Sequence, residues 1–219
     1  MNRTLISSWG LSLVAASVAS AGIITEGGTG FIIDGSSIHT SDIVLDTATY
    51  GELANLSVQV GLNGLQHDWL GDLVVTLTHV ESGTSVSLFG TVGGGLFGSS
   101  AEMDGFYTFN DGIYNAAIPA QGNLWQAADD AEAGSGVVAG GFYYATNNAS
   151  PDFVSMNAAF AGITSAGTWR LSIEDTYPFG DDGALLKWTI SLTGDVVPAP
   201  GAIALLGLAG VAGRGRRRD

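Results

Sequence analysis

Three segments of this chain alternate apolar and polar side chains with a period of two, and this pattern restricts the fold more than any other feature. A period of two puts every second side chain on the same face of a strand, so that one face is buried and the other meets water. Such half-buried strands are typical of antiparallel sheets. No segment shows a sustained apolar repeat of 3.6 residues, so we predict an all-β fold, a jelly-roll-like antiparallel β-sandwich. The apolar positions of the three segments are Leu73, Val75 and Leu77; Trp169, Leu171 and Ile173; and Trp188, Ile190 and Leu192.

The predicted strands are short, and turns rich in glycine, asparagine, aspartate and serine separate them. The chain contains 33 glycines, which favours frequent turns over long helices. We expect the sandwich to span residues 43–194, after a lead-in strand region at 22–42, and to contain a long central loop at 111–151. The clearest strand predictions are residues 55–60, 73–79, 85–89, 169–174 and 185–192.

The first 21 residues have the layout of a secretory signal peptide. Arg3 gives a positive start, residues 5–18 are mostly apolar, and residues 19–21 have the small-x-small pattern that precedes a cleavage site. We therefore expect cleavage between Ala21 and Gly22 and export of the mature chain.

Residues 197–219 have the layout of a second targeting segment. An apolar stretch of about a dozen residues, predicted as a short helix, is well below the roughly 20 residues that span a bilayer. Basic residues after it favour the cytoplasmic side of the membrane. A proline-containing break, Val197, Pro198, Ala199 and Pro200, precedes the stretch, and Arg214, Arg216, Arg217 and Arg218 follow it.

This three-part tail resembles the PEP-CTERM sorting signal of Gram-negative bacteria, with Pro-Ala-Pro where that family has Pro-Glu-Pro. The resemblance implies processing by an exosortase-like sorting enzyme and transient association with the inner membrane. It also implies delivery to the cell surface or to an extracellular matrix. An ordinary C-terminal tail anchor is the alternative interpretation.

Charge is distributed very unevenly along the chain. Residues 22–197 contain 20 of the 21 acidic residues and only two basic ones, Arg170 and Lys187, which gives that region a net charge of −18. Such a surface repels nucleic acid and anionic lipid, and it suits hard cations such as calcium. A solvated acidic surface with no specific ligand is the alternative. The chain has no cysteine, so disulfides, thiol catalysis and zinc–thiolate sites are excluded.

Three segments match, in order, a known domain family. They are residues 58–77 with the sequence His67-Asp68-Trp69-Leu70-Gly71-Asp72-Leu73, the turn at 81–84, and residues 160–192, which include Gly167-Thr168-Trp169-Arg170-Leu171. Together they resemble the P domain (P/Homo B) of subtilisin-like proprotein convertases, over about residues 43–194. Departures are Glu81, the lack of a proline after Ser82, and a longer central loop. The resemblance implies a P-domain-like sandwich with a non-catalytic, accessory role.

Catalytic residues are not evident in the sequence. Asp34, His39 and Ser85 occur in the order of the subtilisin triad, but the motifs that flank each member in that family are absent. We therefore predict that the chain is not an enzyme, although its P-domain resemblance invites a serine-endopeptidase label. We expect His67 and His79 to be surface or turn histidines, and Gly71 to adopt a positive φ in a tight turn.

Two sets of residues are candidates for binding. Aspartates at two predicted loops could meet at one end of a jelly roll and hold calcium, the single cofactor that the sequence suggests; these are Asp68, Asp72, Asp175, Asp181 and Asp182. Aromatic residues of the central loop could stack on sugar rings or anchor a protein, with covering of the core as the alternative; these are Trp125, Tyr143 and Tyr144.

The sequence thus predicts an exported, exosortase-sorted protein of the cell surface or extracellular matrix, with a non-catalytic binding or structural module. Its expected partner is an extracellular polysaccharide or a surface protein, and not nucleic acid. One alternative is an accessory domain for a serine endopeptidase encoded elsewhere. Another is a carbohydrate-binding module.

Overall fold

The chain forms a two-layer β-sandwich. This computed structural model describes residues 20–35, 37–118, 120–177, 179–180 and 182–199. The strands are β1 (Ala21–Ile33), β2 (Ile38–Leu45), β3 (Leu53–His67), β4 (Leu73–His79), β5 (Thr84–Gly90), β6 (Glu102–Asn110), β7 (Val137–Val138), β8 (Gly141–Tyr143), β9 (Gly167–Asp175) and β10 (Gly183–Val196). The helices are α1 (Thr47–Tyr50), α2 (Leu124–Glu132) and α3 (Met156–Ala159), with 3-10 turns at Leu70–Asp72 and Asp111–Ile113.

The ten strands of the described residues are divided between two sheets. One sheet has the order β1-β10-β3-β6, and β6 continues it by pairing in parallel with both β7 and β8. The other sheet is wholly antiparallel, with the order β2-β9-β4-β5. Consecutive strands often lie in different sheets, so the chain crosses the sandwich repeatedly and brings loops from distant parts of the sequence together at each end.

The core lies between the two sheets, and the predicted alternation places it there. Trp169 on β9 and Trp188 on β10 are fully buried, one from each sheet. The indole Nε1 of Trp188 donates to Ser41 Oγ across the sandwich at 2.9 Å, and that of Trp169 donates to the Ser165 carbonyl at 2.9 Å. Both buried donors are therefore satisfied.

The all-β prediction is confirmed, and all five predicted strands lie inside observed strands. The predicted lead-in region at 22–42 is not separate from the sandwich. Strand β1 pairs with β10 along most of its length, and β2 pairs with β9, so this region supplies one edge strand to each sheet. Gly22, the predicted start of the mature chain, is the second residue of β1.

The predicted central loop at 111–151 contains regular structure. Helix α2 begins after Asn123, whose side chain accepts a hydrogen bond from the Trp125 N–H, and it buries Leu124, Ala128 and Ala131 on one face. The short strands β7 and β8 follow. Nine helical residues with a single buried stripe are too few to stand out as a periodic pattern in the sequence.

Different segments of the chain lie at the two ends of the sandwich. At one end Ala21 pairs with Asp195, and the Val196 N–H donates to the Ser20 carbonyl at 2.9 Å, so the first and last described strands terminate side by side. At the other end Gly183 pairs with His67. Over the described residues, no helix has the length and apolar character that a membrane span requires. Pro200, the predicted apolar stretch and the arginine tail lie outside them.

Candidate functional site

An aromatic pocket lies at the end of the sandwich opposite the paired termini. Its volume is about 150 Å³, and it is lined by Trp69, Asp72, Phe97 and Tyr177. Three separate loops supply these residues: the β3–β4 connection, the β5–β6 connection and the segment after β9. We call it the end pocket.

A close backbone crossing joins the first two loops. A Cβ atom on Gly71 would lie 2.6 Å from the Ser99 nitrogen and 2.7 Å from the Phe97 carbonyl oxygen, and one on Gly98 would lie 2.6 Å from the Gly71 Cα. The indole Nε1 of Trp69 also donates to the Phe97 carbonyl at 2.6 Å. This hydrogen bond therefore fixes the position of the Trp69 ring relative to the backbone of Phe97.

The expected positive φ of Gly71 is wrong, because this residue lies in the 3-10 turn and its φ is outside the left-handed region. Glycine is needed there for close approach, and Gly98 has the positive φ of 60°.

A buried polar network holds the third loop against the first. His67 Nε2 lies 3.4 Å from Asp175 Oδ2, and the other oxygen of Asp175 accepts the Tyr177 N–H at 2.9 Å. The Asp72 carbonyl accepts both the N–H and the hydroxyl of Thr176, at 2.8 and 2.9 Å. These bonds fix the backbone on both sides of Tyr177.

Helix α2 braces the loop that carries Phe97. Glu132 Oε1 accepts hydrogen bonds from the Ser99 hydroxyl and the Ser100 N–H, both at 2.7 Å. The Ser99 hydroxyl, foremost, and the Ser100 N–H lower the pKa of the Glu132 carboxyl. The helix dipole disfavours a carboxylate in the last turn of a helix. The hydrogen bonds from Ser99 and Ser100 offset this cost and explain how Glu132 can lie there.

The rim of the end pocket is apolar and open to solvent. Phe97 is 62% exposed and Tyr177 is 42% exposed, and Phe179, 74% exposed, stacks edge-on against Tyr177 at 6.0 Å. Asp72 is buried. Exposed rings around a charged residue, on a rigid frame, are features of a binding pocket rather than of a core.

The predicted calcium residues come to this end of the sandwich but divide between two places. Asp72 lines the end pocket, and Asp175 is buried in the hydrogen bonds described above. Asp68 and Asp182 line a neighbouring acidic cleft of about 310 Å³, together with Glu102 and Asp104. Among the described residues no three acidic or histidine side chains are grouped closely enough to hold a metal ion, and Asp181 lies outside those residues.

The predicted contact aromatics of the central region belong to the core instead. Tyr143 and Tyr144 are buried, and the Tyr143 hydroxyl donates to the Ala139 carbonyl at 2.6 Å. Trp125 packs partly buried against the core. Tyr143 packs against Tyr107 and Phe109, and Tyr144 packs against Tyr114 and Phe153. For these two tyrosines the prediction of a contact surface is wrong, and the alternative of covering the core is the one observed.

The histidines also differ from their prediction. His67 and His79 are buried rather than on the surface, and His79 Nε2 lies 3.0 Å from the Ala166 carbonyl. The subtilisin-order residues are not assembled as a triad. His39 Nε2 contacts Ser37 Oγ at 2.9 Å, whereas Ser85 hydrogen-bonds Thr78 at 2.6 Å on the far outer strand of the four-stranded sheet. Three strand spacings, about 14 Å, separate the strand that carries His39 from the strand that carries Ser85.

Sequence reasoning missed Phe97, Tyr177 and Phe179 as functional candidates. The available signal was an aromatic residue in each of two turn segments, at 91–101 and 176–182, where a buried role is unusual. Only the fold reveals that both turns lie beside Trp69.

Comparisons with known proteins add little to this picture. No protein-family profile matches the chain, and no curated protein matches it. Among solved structures, the Aeromonas sobria serine protease in complex with its chaperone is similar at 14% identity, with a TM-score of 0.40, over 80% of this chain and 28% of that one. The serine protease of Aeromonas sobria alone gives 15% identity and a TM-score of 0.39, over 79% and 27%.

This chain therefore spans less than a third of the length of those proteins. The class that the fold itself defines is an all-β sandwich. Membership of the P-domain family stays a prediction.

Proposed function

We propose that this chain is an exported, surface-sorted protein whose β-sandwich is a non-catalytic binding module, and that its ligand enters the end pocket. The observation that carries the proposal is the pocket itself, in which hydrogen bonds hold the loops that supply three aromatic residues and Asp72. Large exposed rings cost solvation free energy unless a partner covers them. A rigid frame keeps them ready for that partner without an ordering cost on binding.

Export and sorting rest on the two ends of the sequence. The signal-peptide layout of residues 1–21 and the PEP-CTERM-like layout of residues 197–219 support delivery through the inner membrane to the surface or extracellular matrix of a Gram-negative bacterium. An exosortase-like enzyme is the proposed sorting partner.

An extracellular polysaccharide is the proposed ligand, ahead of a surface protein. The end pocket is small, about 150 Å³, below the roughly 300–1,000 Å³ of pockets that enclose a whole drug-sized ligand, so it fits one small group of a larger ligand. Apolar rings with a few polar groups suit a small-molecule unit such as a sugar. The role of accessory domain for a separately encoded serine endopeptidase predicts a protein partner instead.

Binding to matrix polysaccharide extracted from the same cells tests the pocket. We expect the protein to cosediment with the polysaccharide and Tyr177→Ala to reduce binding. Phe106→Ala is the matched control, because Phe106 is similarly exposed, at 64%, but lies on the outer face of β6. Equal binding by all three proteins would exclude the end pocket, and capture of a secreted protease without polysaccharide would favour the accessory role.

Intact mass and cell fractionation test the sorting. A species that begins at Gly22, lacks the arginine tail and occurs in the matrix or medium is the expected result. A species that retains the tail in the inner-membrane fraction would contradict delivery to the matrix.

A further inference from the structure

We propose that the end pocket recognises the ammonium group of a cationic amino-sugar polysaccharide. This inference rests on the proposed function and narrows it, from polysaccharide in general to one that carries positively charged amines. Three features lead to it: the charge of the domain, the faces of the pocket rings, and the placement of part of that charge in the acidic cleft beside the pocket.

The charge of the domain favours a cation. Residues 22–197 carry a net charge of −18, and the described residues that line the end pocket and the acidic cleft include no lysine or arginine. Arg170 is already engaged, since it donates to both oxygens of Asp42 at 2.7 Å on the four-stranded sheet. The net charge would repel a polyanionic ligand, whereas a polycation would be attracted over a distance of about a Debye length.

The rings of the end pocket are suited to an ammonium group. The faces of tryptophan, tyrosine and phenylalanine attract cations through their ring quadrupoles, and tryptophan does so best. Trp69, Tyr177 and Phe97 line one small cavity, and Asp72 lines it with them. The same rings also present apolar area for the carbon skeleton of a sugar.

The acidic cleft makes a polymeric cation a better fit than an isolated one. Asp68 of the cleft directly precedes Trp69 of the pocket in the chain, so the two sites adjoin. Asp104 and Asp182 are exposed in the cleft, as is Glu102. A chain of amino sugars with one ammonium group in the pocket would place further ammonium groups over these carboxylates.

Calorimetry on the protein purified from its own cells tests the inference. The probes are a glucosamine oligosaccharide, its fully N-acetylated counterpart of the same length, and an oligolysine of matched charge. We expect the glucosamine oligomer to bind at least about tenfold more tightly than either of the others. Because exposed charges are screened by salt, its affinity should also fall clearly between 50 mM and 500 mM salt.

Variants locate the site. Phe97→Leu and Tyr177→Leu keep apolar bulk but remove a ring face, and each should weaken binding of the glucosamine oligomer by about three- to tenfold. Both side chains are exposed, so folding should be unaffected. Phe106→Leu, an exposed phenylalanine on β6, is the control and should bind like the wild type.

Each contrary result has one meaning. Equal binding of the N-acetylated oligomer would overturn recognition of charge, and equal binding of oligolysine would overturn recognition of a sugar. Failure to bind the glucosamine oligomer, with Tyr177-dependent binding to extracted matrix polysaccharide intact, would overturn this inference and leave the proposed function standing. Equal losses of affinity for the glucosamine oligomer in Phe97→Leu and Phe106→Leu would exclude the end pocket as the binding site.

Discussion

His67 Nε2 lies 3.4 Å from Asp175 Oδ2, and both side chains are buried at the end of the sandwich that carries the end pocket. His67 ends β3 in the six-stranded sheet, and Asp175 ends β9 in the four-stranded sheet. The contact therefore ties the two layers of the sandwich together at the place where the loops that carry Trp69 and Tyr177 begin.

Removing this tie should destabilise the protein. In His67→Ala the Asp175 side chain stays buried without its imidazole partner, so we expect the free energy of unfolding to fall by about 2–4 kcal/mol. Urea unfolding at pH 7 measures the change. His39→Ala is the control, because the His39 ring is partly exposed and faces Asp34 at the surface, and it should cost less than about 1 kcal/mol. Equal decreases in the free energy of unfolding of the two variants would show that the buried His67–Asp175 pair stabilises the fold no more than the surface contact of His39 does.

The glycine crossing under the pocket gives a second prediction. Gly71→Ala places a methyl group against the backbone of Phe97 and Ser99, where no flexible side chain can yield. We expect a loss of about 1–3 kcal/mol in the free energy of unfolding, together with weaker ligand binding. Gly27→Ala is the comparison, since its new Cβ would meet only the Trp188 carbonyl oxygen at 3.7 Å. A stable Gly71→Ala protein with normal binding would contradict the importance of this crossing.

Glu132 should give the loop that carries Phe97 a dependence on pH. Hydrogen bonds from Ser99 and Ser100 hold the pKa of Glu132 below its ordinary value of 4.5. A lowered pKa in the folded state means that the ionised carboxylate stabilises the fold at pH above about 4.5. The contribution is lost as the pH falls through the lower, folded-state pKa.

Thermal unfolding from pH 7 to pH 3 tests this dependence. Glu132→Gln should have a lower Tm than the wild type at pH 7, and the difference should shrink below pH 4.5. Asp129→Asn, on the same helix, should leave the Tm at pH 7 nearly unchanged. A difference between wild type and Glu132→Gln that stays constant across the pH range would rule out the carboxylate as its cause.

The bond between Trp188 and Ser41 gives a prediction about the core. Ser41→Ala leaves the indole Nε1 of Trp188 buried without its acceptor, which should cost about 1–3 kcal/mol in the free energy of unfolding. Chemical denaturation followed by tryptophan fluorescence measures it. Ser191→Ala, whose hydroxyl bonds Thr25 at the exposed surface, should change the free energy of unfolding by no more than about 0.5 kcal/mol.

The strands were predictable from sequence because their side chains repeat with a period of two. Trp169 and Trp188 on the last two long strands were correctly expected to fill the core, as buried aromatic residues at alternating positions do. Helix α2 was not predicted, because nine residues give too short a periodic signal and a tertiary contact, Glu132 with Ser99 and Ser100, supports its last turn.

The end pocket was only partly predictable. Convergence of loops near Asp72 and Asp175 was expected from the jelly-roll topology, but the chemistry assigned to that convergence was calcium binding by carboxylates. Phe97 and Tyr177 are 80 residues apart in the chain, and nothing local in either segment indicates that they line one cavity with Trp69. Sequence alone also offered Tyr143 and Tyr144 either as surface contacts or as core side chains. The local sequence does not reveal that they pack against Tyr107, Phe109, Tyr114 and Phe153.

The pairing of Ala21 with Asp195 determines how the sandwich would be oriented on a surface to which residues 197–219 attach it. Because the first and last described strands terminate side by side, a protein attached through residues 197–219 would stand on that end of the sandwich. The long strand β10 separates the Ala21–Asp195 pair from the end pocket by about 40 Å, at roughly 3.3 Å per residue. Attachment through residues 197–219 would therefore leave the end pocket facing away from the supporting surface and open to the proposed ligand.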